Sequence, residues 1–446
     1  MQEKIIDIEE LLEKKRYAEL KKYLKDLNSA DIPPLLDELS EEQVILLFRL
    51  LSKEDAAEVF AELDSDIQEK LINSFSDKEI KDVLDELYMD DTVDLIEEMP
   101  SNVVKRILKH IGKDERAIIN KLLQYPDDSA GSIMTTEFID LKENMTVEDA
   151  LEKIKKIGVD SETVYTCYVL SMTRKIIGVI TLKEILLAKL DEKISNIMDK
   201  NVITVQTLDD QEDVAKMFDK YNEYALPVVD NEERLVGIIT IDDAMYIMKE
   251  ENEEDFEKMS AVIPTEEAYL KTPVYKHIGH RIGWLLILML SATLTGTVLA
   301  NYEAAFAVLP LLVSFIPTVM GTGGNSGSQT STIVIRALAT EEITVKDWLK
   351  VLWKEIRVGF LVGSAIMVVN AIRIYFLYHD VKLSLVLGLT LLFTIVVSKS
   401  IGCLLPIITK KMKLDPAVVA APLLTTIVDL CSIIIYFQFA TAMLGI

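Results

Sequence analysis

At 446 residues the chain has room for roughly three domains, and with 50% hydrophobic and 27% charged residues it must be split in character rather than uniform. Residues 276–446 hold 13 Lys+Arg against 8 Asp+Glu, so the −25 net charge of the whole chain leaves −30 on residues 1–275. Such an acidic front repels nucleic acid and anionic lipid and attracts cations. Cys167, Cys403 and Cys431 lie far apart, which fits neither a disulfide framework nor a zinc site. The opening MQEKIIDIEELLEKKRY lacks the apolar core of a secretory signal, so the amino-terminal half is expected on the cytoplasmic side.

Residues 1–128 read as an acidic, all-α repeat domain made of short helices. Ser40, Ser52, Ser65, Ser76 and Ser101 recur as candidate caps, with a further helix start near Asp90. Several precede an acid or amide by three positions, the spacing of a capping box. One helix per repeat cannot bury its own apolar face, so a superhelical stack is expected. Within it, MDDTVDLIEEMP places Asp90, Asp91 and Asp94 inside one turn, either as a solvated face or as cation ligands.

Residues 129–249 change period and repeat themselves. SIMTTEFIDLKENMTVEDALEKI matches NIMDKNVITVQTLDDQEDVAKMF, and CYVLSMTRKIIGVITLKEIL matches LPVVDNEERLVGIITIDDAM. Met134 aligns with Met198, and Gly178 with Gly237. The duplication resembles a pair of CBS domains, about 129–192 and 193–249, each an α/β unit. In that family the pair matching Thr240 and Asp243 touches the ribose and phosphate of an adenine nucleotide. The resemblance thus makes Thr240, Asp243 and Pro227 nucleotide candidates and ATP or a related nucleotide the candidate ligand. Lys183 and Glu184 in the first unit speak against a second such site.

The segment 250–275 is read as an acidic connecting helix, continuous with the carboxylates that begin at Asp242. Crowded like charges on a helix cost stability unless countered, and oxygen-binding divalent cations are natural counters. From residue 276 a polytopic membrane domain is expected, with five spans at 282–300, 305–336, 356–378, 384–409 and 417–444. Ten basic residues flank these spans on one side, against Arg373 and Lys382 on the other. That bias predicts a cytoplasmic amino terminus and an outside carboxyl terminus in the cell membrane.

Inside the second span lies FIPTVMGTGGNSGSQTSTIVIRALA, residues 315–339, with Pro317, Gly321, Gly323, Gly324, Asn325 and Gly327. Irregular polar backbone survives at membrane depth only inside protein or beside a wet cavity. A broken or kinked helix lining an ion path is therefore expected, against the alternative of a small-residue packing interface. Asp429 is the one acid placed deep in a span, and such a carboxylate is functional or paired; its candidate partner is Lys399. Ala420 and Thr425 precede it and can line the same cavity.

PTVMGTGGNSGSQTS, the CBS pair, the acidic helical front and APLLTTIVD together resemble the MgtE family of magnesium channels or transporters, in the family's order over nearly the whole chain. That resemblance implies a homodimer with a pore between its membrane domains, Asp429 as the pore acid, and Mg2+ as both cargo and regulator. Cytosolic Mg2+ would draw the helical domain, CBS pair and connecting (plug) helix together and close the pore, as negative feedback. By the same resemblance Asp90, Asp91, Asp94, Asp243, Glu254 and Asp255 are the regulatory ligands. An enzyme is disfavoured: GNSGS ends in Ser328 where a nucleophile elbow needs glycine, and His110, His277, His280 and His379 lie outside the spans. No protein substrate is implied. The rival reading is a non-conducting, membrane-anchored CBS sensor of a divalent cation or adenine nucleotide.

Overall fold

The computed structural model describes residues 2–36, 38–265, 269–270, 272–302, 309–420 and 422–445. The chain divides into two compact units, Met1–Met248 and Lys249–Ile446.

The first unit opens with short helices such as Glu41–Phe48, Lys53–Ala61 and Asp77–Leu84. Ser76, in a capping box with Glu79, and Ser52, which accepts from the Asp55 amide, each satisfy a helix-end donor, while at Ser40 the Gln43 side chain accepts from the backbone N–H and the hydroxyl. Two expected caps are displaced. Asp64 and Pro100 hold the N-cap positions, leaving Ser65 and Ser101 as first helical residues. Each short helix turns its apolar side into one continuous core that includes Leu47, Phe60, Leu71, Val93 and Ile107. Helix α1 (Met89–Glu98) contributes Val93 and Leu95 to that core and carries the three aspartates on its other side.

The duplicated segment forms two three-stranded sheets of identical topology. In the first, β1 (Asp140–Lys142) pairs parallel with β2 (Thr166–Leu170), which pairs antiparallel with β3 (Ile176–Thr181). In the second, β4 (Val205–Gln206), β5 (Ala225–Val229) and β6 (Leu235–Thr240) repeat the order. The two units trade their leading segments: Thr135 bridges to Ile238, and Asp199 bridges to Val179. The aligned residues explain the exchange. A Cβ on Gly178 would lie 2.5 Å from Sδ of Met198, and one on Gly237 would lie 2.6 Å from Sδ of Met134. Each glycine thus makes room for the methionine of the opposite unit.

Helix α2 (Ile241–Met259) follows β6 and runs out of the first unit into the second. The second unit is built from long helices: α3 (Val274–Ala300), α4 (Ile316–Ala339), α5 (Trp348–Tyr378), α6 (Val381–Lys411) and α7 (Pro422–Leu444). Among the described residues four stretches are long and apolar enough to cross a membrane: Val274–Ala300, Val345–Tyr378, Val381–Lys411 and Leu423–Leu444. The fifth expected span, 305–336, is not among them, because glycines and hydroxyls dilute α4; residues 305–308 of that span lie outside the described residues. The segment expected at 417–444 is described as the helices Pro416–Ala420 and α7, on either side of residue 421, which lies outside the described residues.

The expected break in the glycine stretch is absent. A 3-10 turn, Pro310–Phe315, leads into α4, which then runs helical from Ile316 to Ala339. Pro317 stands in the first turn, where a helix has no amide bond to lose, so it starts the helix and does not kink it. The glycines are tolerated because α4 packs on α6 and α7 so closely that side chains would collide. A Cβ on Gly323 would lie 2.6 Å from Oγ of Ser432, and one on Gly402 of α6 would lie 2.5 Å from the Gly327 carbonyl oxygen.

Alanine at Gly237 would also press on a backbone oxygen, that of Thr135, at 2.7 Å, whereas the nearest for Gly178 is Asp199 at 3.1 Å. Gly237→Ala is expected to destabilise the full chain by about 1–3 kcal/mol, as overpacking does, and Gly178→Ala by less. Thermal unfolding in detergent reads the difference, and equal or reversed losses would refute the exchange as the cause.

Candidate ion path and acidic cluster

In the second unit, α4 buries one face and leaves the other open. Val319, Gly323, Gly327, Thr330 and Val334 are buried, while Pro317, Gly321, Asn325 and Gln329 follow one another at helical spacing on the exposed face. Gly324 borders α7: its Cβ position is 4.0 Å from Cγ2 of Thr425. Asp429 lies one turn further along α7, half-buried, and among the described residues it makes no ion pair. The pairing considered for it does not form. Lys399 instead donates to Oγ1 of Thr330 at 3.1 Å, on the buried side of α4. Ala420 ends the short helix Pro416–Ala420, and its side chain lies outside the described residues.

The open face of α4 therefore carries an amide, a glutamine and small residues. Buried in the same bundle, Oγ of Ser326, Oγ of Ser331 and Oγ1 of Thr394 have no hydrogen-bond partner among the described residues. One acid within a candidate span was missed from the sequence: Glu355 on α5, which accepts from Thr330 at 2.9 Å. The buried Lys399 was the available signal, since a cation in a helix bundle needs a counter-charge.

In the first unit, α1 brings Asp90 and Asp91 toward Asp243, in the first turn of α2. Burial, then Asp91 and Asp243, push the Asp90 carboxyl well above the usual range. Burial, then Asp243, raise Asp91 to about 6. The cluster has a member that no sequence motif marks, Glu162, in the loop before β2. Its Oε2 is buried without a hydrogen-bond partner among the described residues, and burial, followed by Asp243 and Asp242, raises it to about 8. Asp94 belongs to the same crowd: the protein packed around it, then Asp91, raise it to about 7, although its side chain reaches solvent, where water screens the charge. These carboxylates face one another without converging: among the described residues no three His, Cys, Asp or Glu side chains stand close enough to hold a metal ion.

Glu254 and Asp255 form a separate set, about three turns along α2 from Asp243. There the Lys258 ammonium bridges Glu254 at 2.7 Å and Asp415 at 3.0 Å, and those contacts raise its pKa to about 12 against the opposing effect of burial.

The nucleotide candidates sit on neighbouring strands. Thr240 ends β6 and donates to Oδ2 of Asp243 at 2.6 Å; Pro227 lies opposite Ile238 across the β5–β6 ladder. The first unit has the same arrangement one methylene longer, Thr181 donating to Oε2 of Glu184 at 2.8 Å. The structural counterpart of Thr240 is therefore Thr181, not Lys183, and the two units differ at this point only in Asp against Glu.

The acidic cluster fixes a pH dependence. Carboxyls raised on folding hold protons that the unfolded chain has already released, so their contribution to stability is full at low pH and is lost as pH climbs through their folded values. Without divalent cations, stability is expected to fall as pH rises from about 4, the unfolded value, through the 6 to 8 of Asp91 and Glu162. Glu162→Gln should flatten the upper part of that fall. Denaturant titrations of the full chain across this range would detect it, and an unchanged slope in the variant would contradict the assignment.

Comparison with known proteins finds relatives along the whole chain. Residues 316–439 match the family model described as a divalent cation transporter, MgtE. Residues 27–128 match the MgtE intracellular N domain, and 130–191 and 194–250 match CBS domains. The chain is 32% identical to a magnesium transporter MgtE of Thermus thermophilus over 449 residues, covering 100% of this chain and 99% of that one. It is 29% identical to one of Bacillus subtilis over 440 residues, covering 99% and 97%. Two solved structures resemble its front half. One, described as the soluble part of a magnesium transporter, has a TM-score of 0.52 at 30% identity and covers 56% of this chain and 99% of its own. The other, the cytosolic domain of the Mg2+ channel MgtE in complex with ATP, has a TM-score of 0.52 at 32% identity, covering 55% and 99%. With full-length relatives, matching domains in the same order and a front half of the same fold as the two solved structures, this chain belongs to the MgtE family of divalent cation transporters.

Proposed function

We propose that this protein is a Mg2+ transporter of the cell membrane, working as a homodimer and regulated by cytosolic Mg2+. The observation that carries the transport reading is the open face of α4. Gly321, Asn325 and Gln329 are exposed on a helix whose other side is packed among apolar spans, next to Thr425 and one turn from Asp429. Lipid would leave these amides unsatisfied, whereas water and ions would not. Asp429, Asn325, Gly324, Thr425, Ala420 and Pro317 are the proposed ion-path residues. A second copy across a shared axis would bring two Asp429 carboxylates to one path. Mg2+ dehydrates reluctantly, so such a path suits a largely hydrated ion. The amino terminus and CBS pair would face the cytoplasm, the carboxyl terminus the outside, and α4 would complete five spans.

Regulation is proposed to reside in the carboxylates. Asp90, Asp91, Asp94 and Asp243, with Glu162 beside them, repel one another when bare, so a divalent ion between them is worth most in the arrangement that brings them closest. Glu254 and Asp255 on the connecting helix would form a further set. Because the ion favours one arrangement over the other, it shifts the population between them, and closure by Mg2+ gives negative feedback. ATP is the proposed second ligand, at Thr240, Asp243 and Pro227. Asp243 would then serve both ligands, linking nucleotide to ion occupancy.

Mg2+ flux in proteoliposomes containing the full chain tests both parts. Wild-type flux is expected to fall as Mg2+ rises on the cytoplasmic face. Asp429→Asn is expected to lower flux by about ten-fold or to abolish its selectivity, as loss of a pore carboxylate does. Asp91→Asn with Asp243→Asn should keep the flux while moving its inhibition to higher Mg2+. Flux indifferent to Asp429 would place the path elsewhere, and folded protein that passes no ion at any Mg2+ level would refute transport.

A further inference from the structure

The transport reading does not use Lys399, although it is the most costly side chain in the membrane unit. It lies deep within α6, is only 6% exposed, and sits between helices long and apolar enough to cross a bilayer. An unneutralised ammonium there would be expensive, and among the described residues no ion pair reaches it directly. Its Nζ donates to Oγ1 of Thr330 on α4, at 3.1 Å. Thr330 is 1% exposed, and its hydroxyl in turn donates to Oε2 of Glu355 on α5, at 2.9 Å. One hydroxyl therefore accepts from a cation and donates to an anion, the polarity that both charges demand.

The surroundings are cut to fit this relay. Gly359, one turn beyond Glu355, leaves space for the lysine stem: a Cβ there would lie 3.4 Å from Cδ of Lys399. Gly327, nearly one turn before Thr330, lets the backbones of α4 and α6 touch at Gly402, which brings Thr330 within reach of Lys399. Thr330 is five residues from Asn325, about 7.5 Å of helix rise. A bare ammonium at that range, in a medium of low dielectric, would repel a divalent cation.

We propose that Lys399, Thr330 and Glu355 form a hydroxyl-bridged ion pair that positions α4 against α5 and α6 and cancels the lysine charge beside the ion path. Glu355 and Lys399 are positioning residues and do not touch the ion. The inference rests on the transport reading for its electrostatic part only; the pair itself is a property of the fold.

The test is a double-mutant cycle of Glu355→Gln and Lys399→Met in the full chain, read by thermal unfolding in detergent and by Mg2+ flux in proteoliposomes. Each single variant leaves one charge uncompensated, the buried Lys399 or the half-buried Glu355, and is expected to lower Tm, and the double variant to recover much of the loss. Flux should separate the singles by sign. Glu355→Gln, which leaves the ammonium, should fall at least about ten-fold below Lys399→Met, which leaves the carboxylate, since the cation repels Mg2+ and the anion does not. Thr330→Ser keeps the bridging hydroxyl and should retain coupling in Tm, whereas Thr330→Val should lose it. Additive Tm losses, or a Thr330→Val that retains the coupling, would overturn the pair. Equal flux in the two singles would overturn its electrostatic role. A wild type that folds but passes no Mg2+ would defeat the transport reading and leave the Tm cycle to decide the pair.

Discussion

The close approach of α4 to α6 and α7 is the constraint on which the membrane unit depends. Glycine is poor in a helix in water, where it costs backbone entropy and covers nothing. Between apolar helices it allows backbone to meet backbone, and at Gly327 and Gly402 the approach leaves no room for a methyl group. Once α4 is seated, three consequences follow. Thr330 falls between Lys399 and Glu355. Gly324 meets Thr425, one turn from Asp429. The remaining face, with Asn325 and Gln329, has no protein against it within the chain's described residues.

The first unit works by the opposite economy. Its helices and sheets share an apolar core that runs from the short repeats into the second CBS unit. That core holds α1 and the start of α2 in place although their carboxylates repel one another. The strain is visible in Asp90, Asp91 and Glu162, pushed up by burial first and by neighbouring charges second, and in Asp243, which burial pushes up against the opposing hydrogen bond from Thr240. Under the proposed regulation, a divalent cation among them would relieve both effects at once, supplying coordination in place of water and charge in place of repulsion. Apolar packing thus sets the position of the carboxylates against their mutual repulsion.

Several features were legible from residue order alone because their causes are local. Capping at Ser40 and Ser76 follows from a serine and an acid or amide three positions on. The CBS duplication follows from two copies of one pattern, and its aligned methionines and glycines prove to be contact partners across the two units. Ser65 and Ser101 were misplaced by one residue because Asp64 and Pro100 compete for the same cap position. The expected break at Pro317 failed for a less local reason: glycine-rich sequence suggests irregular backbone, and only the packing partners of α4 make it a regular helix.

By itself, then, the sequence determined the charge split between the two halves, the short capped helices, the duplicated α/β units and the polar character of the glycine stretch. Composition, local propensity and repetition are enough for each of these. Tertiary structure alone decided that Glu162 joins Asp90, Asp91 and Asp243, that Lys399 turns to Thr330 and Glu355 and away from Asp429, and which face of α4 stays open. Those outcomes depend on contacts between segments tens to hundreds of residues apart. Burial and packing choose among them, and no local pattern encodes that choice.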